Sequence, residues 1–254
     1  MNAITLWFHK LGSPPYFYRF AGRLMPWLLA ATLALTALAL WIAFTRVPPD
    51  YLQGQSAKIM YVHVPSAWMS LFIYAFMAVV GGIGFIWRIK LAEIMAMASA
   101  PIGAAFTVIT LATGSLWGRP AWGTYWEWDG RMTSELILLF LYFGVIGLYR
   151  SIEDPRKAAR AAALLAIVGL VNLPVIRYSV DWWATMHQSS SISVFSAKST
   201  IDPSMLWPLL WMTLATKFYF GWALLGRARV AVLGQEAGKE WVREAVGAPA
   251  GAAA

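Results

Sequence analysis

The stretch VPSAWMSLFIYAFMAVVGGIGFIW, Val64 to Trp87, runs for 24 residues without a charged side chain. A helix rises about 1.5 Å per residue, so this segment covers the roughly 30 Å hydrocarbon core of a bilayer. Five further apolar runs lie near 25–44, 92–114, 132–149, 161–178 and 203–225, separated by short polar connections. The pattern predicts an all-α polytopic membrane protein with six transmembrane helices. Composition agrees: of 254 residues 59% are hydrophobic and 13% charged, with a mean hydropathy of +0.59, whereas soluble domains carry roughly a quarter charged residues.

The charges sort by side. Lys10, Arg19, Arg23, Arg88, Lys90, Arg150, Arg156, Lys157, Arg160, Arg227, Arg229, Lys239 and Arg243 fall on one side of the spans; Arg46, Lys58, Arg119, Arg131, Arg177 and Lys198 fall on the other. Positive residues gather in the cytoplasm, so both termini are expected there. The chain then divides into three parts. Residues 1–24 form a cytoplasmic or interfacial tail whose Tyr16, Phe17, Tyr18 and Phe20 suit the headgroup layer of membrane lipids. Residues 25–225 form the six-helix domain, with outer loops near 45–63, 115–131 and 179–202. Residues 226–254 form a cytoplasmic tail, and its Gly/Ala/Pro string over 247–254 offers too little side-chain surface to pack. The first apolar run is long for a signal peptide and is expected to stay as helix one.

Several residues inside the spans invite two readings each. Pro101, Pro174 and Pro208 are expected to bend their helices. An ammonium in lipid costs a few kcal/mol, so Lys217 either snorkels toward the cytoplasmic face or serves as a buried functional charge. Glu135 serves either the dipole of its helix or a polar contact in the bundle.

A net charge of +8 would suit nucleic acid only if the bases clustered, and here they flank spans instead. With zero cysteines, disulfides, thiolate metal sites, a cysteine nucleophile and thioether-linked cofactors on this chain are excluded. Paired carboxylates, a nucleophile beside a base and a phosphate-cradling glycine loop are missing as constellations.

The chemistry concentrates outside. Trp117, Trp122, Trp126 and Trp128, with Tyr125, fall within twelve residues of the second outer loop. Interfacial belts use Trp, but this density exceeds a belt's needs. Trp122 and Trp126 are one helical turn apart and are expected to form a flat aromatic wall, which suits a large planar apolar ligand. Asp129 either caps the following helix or faces the ligand, and Arg119 and Arg131 meet either phospholipid or other anionic groups. His63, at the mouth of helix two, and His187, in the last outer loop, share this side; His9 lies on the cytoplasmic tail. A lone interfacial histidine is usually a surface hydrogen-bonding group. A pair flanking a tryptophan wall favours axial ligation of a planar metal macrocycle, whose iron neutral imidazole binds well. Di-haem cytochromes that hold haem inside the bilayer need histidines within the spans, and these lie at span ends or in loops.

At this point the residues resemble a known family. Trp117-Gly118, Trp122-Gly123-Thr124, Trp126 and Trp128-Asp129, running into Arg131 and Glu135, look like the WWD signature of haem-handling membrane proteins. With six spans and the outer pair His63 and His187, the chain is similar to the CcmC (haem exporter protein C) family of cytochrome c maturation. The resemblance implies non-covalent haem b (iron protoporphyrin IX) at the periplasmic face of the bacterial inner membrane, with His63 and His187 as axial ligands. It implies a haem-contacting surface of Trp117, Trp122, Trp126, Trp128 and Asp129, delivery to the chaperone CcmE, and assembly with CcmD and the ABC transporter subunits CcmA and CcmB. It implies haem transfer, with covalent attachment on the chaperone, and no enzyme. Gly130, between Asp129 and Arg131, departs slightly from the pattern and is expected to loosen the loop. The rival readings are a larger cytochrome c synthetase, a permease or quinone-binding subunit without haem, and a structural scaffold for a transporter.

Overall fold

A computed structural model describes residues 12–183, 185–187, 191–193 and 198–247; His9 and the tail beyond Gly247 lie outside them. Helix α1 (Pro14–Thr45) starts where two prolines preset the helical φ, well before the apolar run at 25. A short 3₁₀ turn, Gln55–Ile59, leads directly into α2 (Met60–Trp87). Helix α3 (Lys90–Trp122) stops at Gly123, whose φ of 84° is the left-handed conformation that ends helices, and whose amide donates to the Arg119 carbonyl at 3.0 Å. Then follow α4 (Gly130–Ser151), α5 (Pro155–Gly169), α6 (Asn172–Trp182), α7 (Pro203–Gln235) and the short α8 (Glu240–Val246). Between α6 and α7 a two-stranded antiparallel ribbon, β1 (Ile192–Ser193) and β2 (Lys198–Ser199), pairs Ile192 with Ser199. Aspartates cap three of these helices: Asp129 accepts from the Met132 amide, Asp154 from those of Arg156 and Lys157, and Asp202 from that of Ser204.

Among the described residues, five helical stretches are long and apolar enough to cross a membrane: Pro14–Thr45, Gln55–Trp87, Lys90–Trp122, Gly130–Ser151 and Pro155–Trp182. The expected sixth, 203–225, lies within α7, which at 33 residues extends about 50 Å. It stands apart from the apolar set because Lys217, Trp207, Trp211, Trp222 and Pro208 lower its hydropathy.

The expected single span over 161–178 is two helices. The amide that Pro174 lacks cannot bond the Leu170 carbonyl, which accepts instead from Leu173 at 3.1 Å, and the chain tightens to i→i+3 bonds over Leu170 and Val171. Asn172 pins the break by donating to the Ser134 carbonyl on α4 at 2.9 Å.

The core is built from small residues that let helices approach. Ala158, Ala159, Ala162, Ala163 and Ala166 make α5 a smooth ridge, and a Cβ on Gly81 of α2 would already meet that of Ala163 at 3.2 Å. Tyr142 of α4 fits a notch at Gly103 of α3, stands edge-on to Tyr74 with ring centroids 5.0 Å apart, and donates to the Ser70 carbonyl at 2.7 Å. Helices α1, α2, α3 and α7 share a second cluster around Met69, Ile73, Phe106 and Phe220.

Candidate functional site

Thr110, Thr113, Gly114 and Trp117 lie at i, i+3, i+4 and i+7 on α3, which is one helical face. That face meets His63, one turn inside α2. The His63 Nδ1 is 3.2 Å from the Thr110 carbonyl oxygen and 3.1 Å from Thr113 Oγ1. A carbonyl can only accept, so Nδ1 carries the proton and donates. The Thr113 hydroxyl spends its own proton on the Ile109 carbonyl at 2.6 Å, leaving its oxygen to accept. The lone pair of His63 therefore sits on Nε2. Trp117 stands edge-on to the imidazole, with centroids 5.7 Å apart and planes at 77°. A Cβ on Gly114 would lie 3.0 Å from His63 Cε1, so the ring has no slack on that side.

His187 is held by side chains. Asp129 uses its two oxygens differently: Oδ1 caps α4 by accepting from Met132 N at 2.7 Å, while Oδ2 accepts from the Thr185 hydroxyl and from His187 Nδ1, the latter at 2.7 Å. The cap reading of Asp129 is what the structure shows, and its second oxygen faces His187 and not the cavity. A carboxylate on Nδ1 again leaves Nε2 as the open nitrogen, the arrangement in which an outer carboxylate orients a metal-binding imidazole. Burial raises the Asp129 pKa, but the hydrogen bonds from Thr185, Met132 and His187 outweigh it and hold the carboxyl below its ordinary value. Burial lowers the His187 pKa, with Arg131 adding to the fall and Asp129 opposing it, which favours the neutral ring.

The expected aromatic wall is not one wall. Helix α3 ends at Trp122, so Trp122 and Trp126 share no helical face. Trp122 turns its edge to His187 at 4.7 Å, and Trp126 pairs with Trp128 at 5.3 Å. Each candidate ligand thus has its own tryptophan from the end of α3: Trp117 for His63 and Trp122 for His187. Arg119 donates to the Gly123 carbonyl and lies 5.7 Å over the Tyr125 ring, so it secures the end of α3. Trp128 is 74% exposed. Gly130, expected to loosen the loop, is the first residue of α4, where a Cβ would meet Trp183 at 3.1 Å and Ser179 at 3.2 Å; it tightens the contact with α6.

His63 and His187 open on one cavity of about 1290 Å³, which Trp117 and Arg131 also line. Trp122, Trp126, Trp128, Asp129 and Arg119 are not among its lining residues. Glu135 lines it too. Buried and accepting from Ser70 Oγ at 2.7 Å, it makes a polar contact between α4 and α2, five residues past the helix start and beyond the reach of the terminal dipole. Lys217 reaches the same cavity with its Nζ 4.4 Å from the Phe72 ring centroid, a cation-π contact. Arg177 is a further cation on the wall. Sequence reading passed over Thr110, Thr113, Gly114, Gln53 and Thr185. The first three were legible as a helical face continuing to Trp117; Thr185 and Gln53 carried no local signal.

Comparison with known proteins bears on this arrangement. Residues 7–243 match the family model CcmC, "Heme exporter protein C". The chain is 50% identical over 210 residues to the protein named Heme exporter protein C of Bradyrhizobium diazoefficiens, covering 83% of this chain and 79% of that one. To the protein of the same name from Escherichia coli K12 it is 46% identical over 239 residues, 94% of this chain and 96% of the other. It is also 43% identical over 175 residues, 69% of this chain and 73% of the other, to a mitochondrial protein of Marchantia polymorpha whose name contains "cytochrome c biosynthesis ccmC-like". A helical chain with spans of membrane length, matched across nearly its whole extent by that family model, belongs to the Heme exporter protein C (CcmC) family.

Proposed function

We propose that this protein binds haem b non-covalently at the periplasmic face of the bacterial inner membrane and hands it to the chaperone CcmE, in an assembly with CcmD, CcmA and CcmB. In this reading α7 is the sixth span and both termini are cytoplasmic. The donor set fits iron protoporphyrin: two imidazoles, each with Nδ1 committed to an acceptor and Nε2 left for a metal, line a shared cavity. That pairing is the observation that carries the proposal. The cavity also exceeds the roughly 300–1,000 Å³ of common ligand pockets, in keeping with a macrocycle.

His63 and His187 would hold the haem iron through their Nε2 atoms, and Arg131 would meet the haem carboxylates. Trp117 and Trp122 hold the imidazoles edge-on. The exposed Trp128, with the half-buried Trp126 against it, lies outside the cavity lining, on the side a chaperone would approach. Haem, when bound, would supply a reactive macrocycle edge for the chaperone to capture. This chain's residues bind, orient and release.

The test is a haem titration of purified protein in lipid nanodiscs. The expected result is the Soret band of six-coordinate low-spin haem, lost in His63→Ala and in His187→Ala. Equal affinity and an unchanged spectrum in both variants would instead favour a permease or quinone-binding subunit.

A further inference from the structure

Loop one contributes a residue that reaches His63 at second hand. Asp50 makes this loop rigid: its Oδ1 accepts from the amides of Leu52 and Gln53 at 2.9 and 2.8 Å, and its backbone exchanges hydrogen bonds with Gly54 at 3.1 and 2.8 Å. From that platform Gln53 accepts from Trp117 Nε1 at 2.8 Å, 64 residues away in sequence. Indole N–H is only a donor, so the amide oxygen of Gln53, and not its nitrogen, must face the ring. Gln53, Trp117 and His63 all line the same cavity.

We propose that Gln53 is a positioning residue of the haem site, fixing the Trp117 indole and through its edge-on contact the tilt of the His63 imidazole. The inference rests on the haem-binding reading given above. The chain of contacts has no redundancy at its middle: Trp117 touches His63 with its ring, and its polar handle is spent on Gln53. The Nδ1 bonds to α3 fix one edge of the imidazole, whereas rotation about that anchored edge is resisted by the Trp117 ring and by the close approach of Gly114, where even a Cβ would lie 3.0 Å from Cε1. Releasing the indole frees that rotation. The relative tilt of two axial imidazoles sets the anisotropy of the low-spin ferric EPR signal, and hydrogen bonding around an axial ligand tunes the iron. Gln53 should therefore be visible spectroscopically without touching iron.

The experiment compares Gln53→Ala, Gln53→Leu and Gln53→Glu in full-length protein loaded with haem in nanodiscs, reading the ferric EPR spectrum and the rate of haem loss to apomyoglobin. Removing the acceptor should change the g-anisotropy and speed haem loss about fivefold, the scale of one neutral hydrogen bond. Gln53→Glu keeps an acceptor oxygen and should restore both readouts. Wild-type spectra and rates in the Ala and Leu variants would overturn the proposal. So would failure of Gln53→Glu to restore them, since the loss would then come from the loop and not from the acceptor. If the unsubstituted protein shows no Soret band on titration, the haem-binding reading itself falls and this inference falls with it; a His63-dependent band with a silent Gln53 removes this inference alone.

Discussion

His63 and His187 line one cavity and both commit Nδ1 to an acceptor, but they are held by different kinds of structure. His63 belongs to a helix and is gripped by a neighbouring helix: a backbone carbonyl, a threonine and a glycine-sized gap on α3. His187 sits outside the helices, between α6 and the ribbon, and is held by side-chain hydrogen bonds to Asp129 and by the edge of Trp122. Helix packing moves only with the whole bundle, whereas a side-chain network on a loop opens locally at lower free energy. Under the proposed haem-binding function, the contrast gives one fixed ligand and one releasable one.

Four measurements bear on that contrast. The largest change is expected at Asp129→Asn, which keeps an N-cap for α4 but replaces the carboxylate on His187; losing such an outer partner weakens metal ligation about 10- to 100-fold. Equilibrium haem titration reads it, and wild-type affinity would mean that Asp129 serves α4 alone. Next is Gly114→Ala, whose new Cβ would press on His63 Cε1 at 3.0 Å. Overpacking by one methyl costs on the order of 1–3 kcal/mol, so an affinity loss of about tenfold is expected on the rigid side. An unaffected titration would show that the ring yields.

The pH response follows from His187. Its pKa lies below the ordinary value, so the folded state holds fewer protons than the unfolded one. Haem retention should be full above about pH 6.5 and lost only as pH falls through the lowered folded value, not as pH rises. Soret absorbance against pH checks this, and a loss beginning near pH 8 would contradict it. The smallest effect belongs to Trp128→Ala. This ring is exposed and outside the cavity lining, so haem affinity should stay within about twofold. Transfer to the chaperone, measured separately, should fall if this face is the one approached.

Much of the architecture is legible in hydropathy, because crossing a bilayer is a property of about 20 consecutive residues. Val64–Trp87 and four of the five other apolar runs fall within helical stretches of spanning length and apolarity, the one over 161–178 being broken into α5 and α6. The run at 203–225, read as a sixth span, is helical within α7, but Lys217 and its aromatic neighbours keep its average hydropathy below that of the other five. The break at Leu170 was only half legible. Pro174 marks it, but the bend lies one turn upstream, where the missing amide would have bonded.

At the site, residue type singled out His63, His187 and the tryptophan-rich loop, since few side chains ligate iron or stack on a flat ring. Their roles depend on partners 47 to 64 residues apart: His63 with Thr110, Asp129 with His187, Gln53 with Trp117. A local window carries composition and period, so it reports the helices and the inventory of candidate groups. Which tryptophan lies against which imidazole, and that one aspartate both caps a helix and holds His187, follows from how α2, α3 and α4 pack, because hydrogen bonds are short-ranged and form only after the fold has brought distant atoms within about 3 Å.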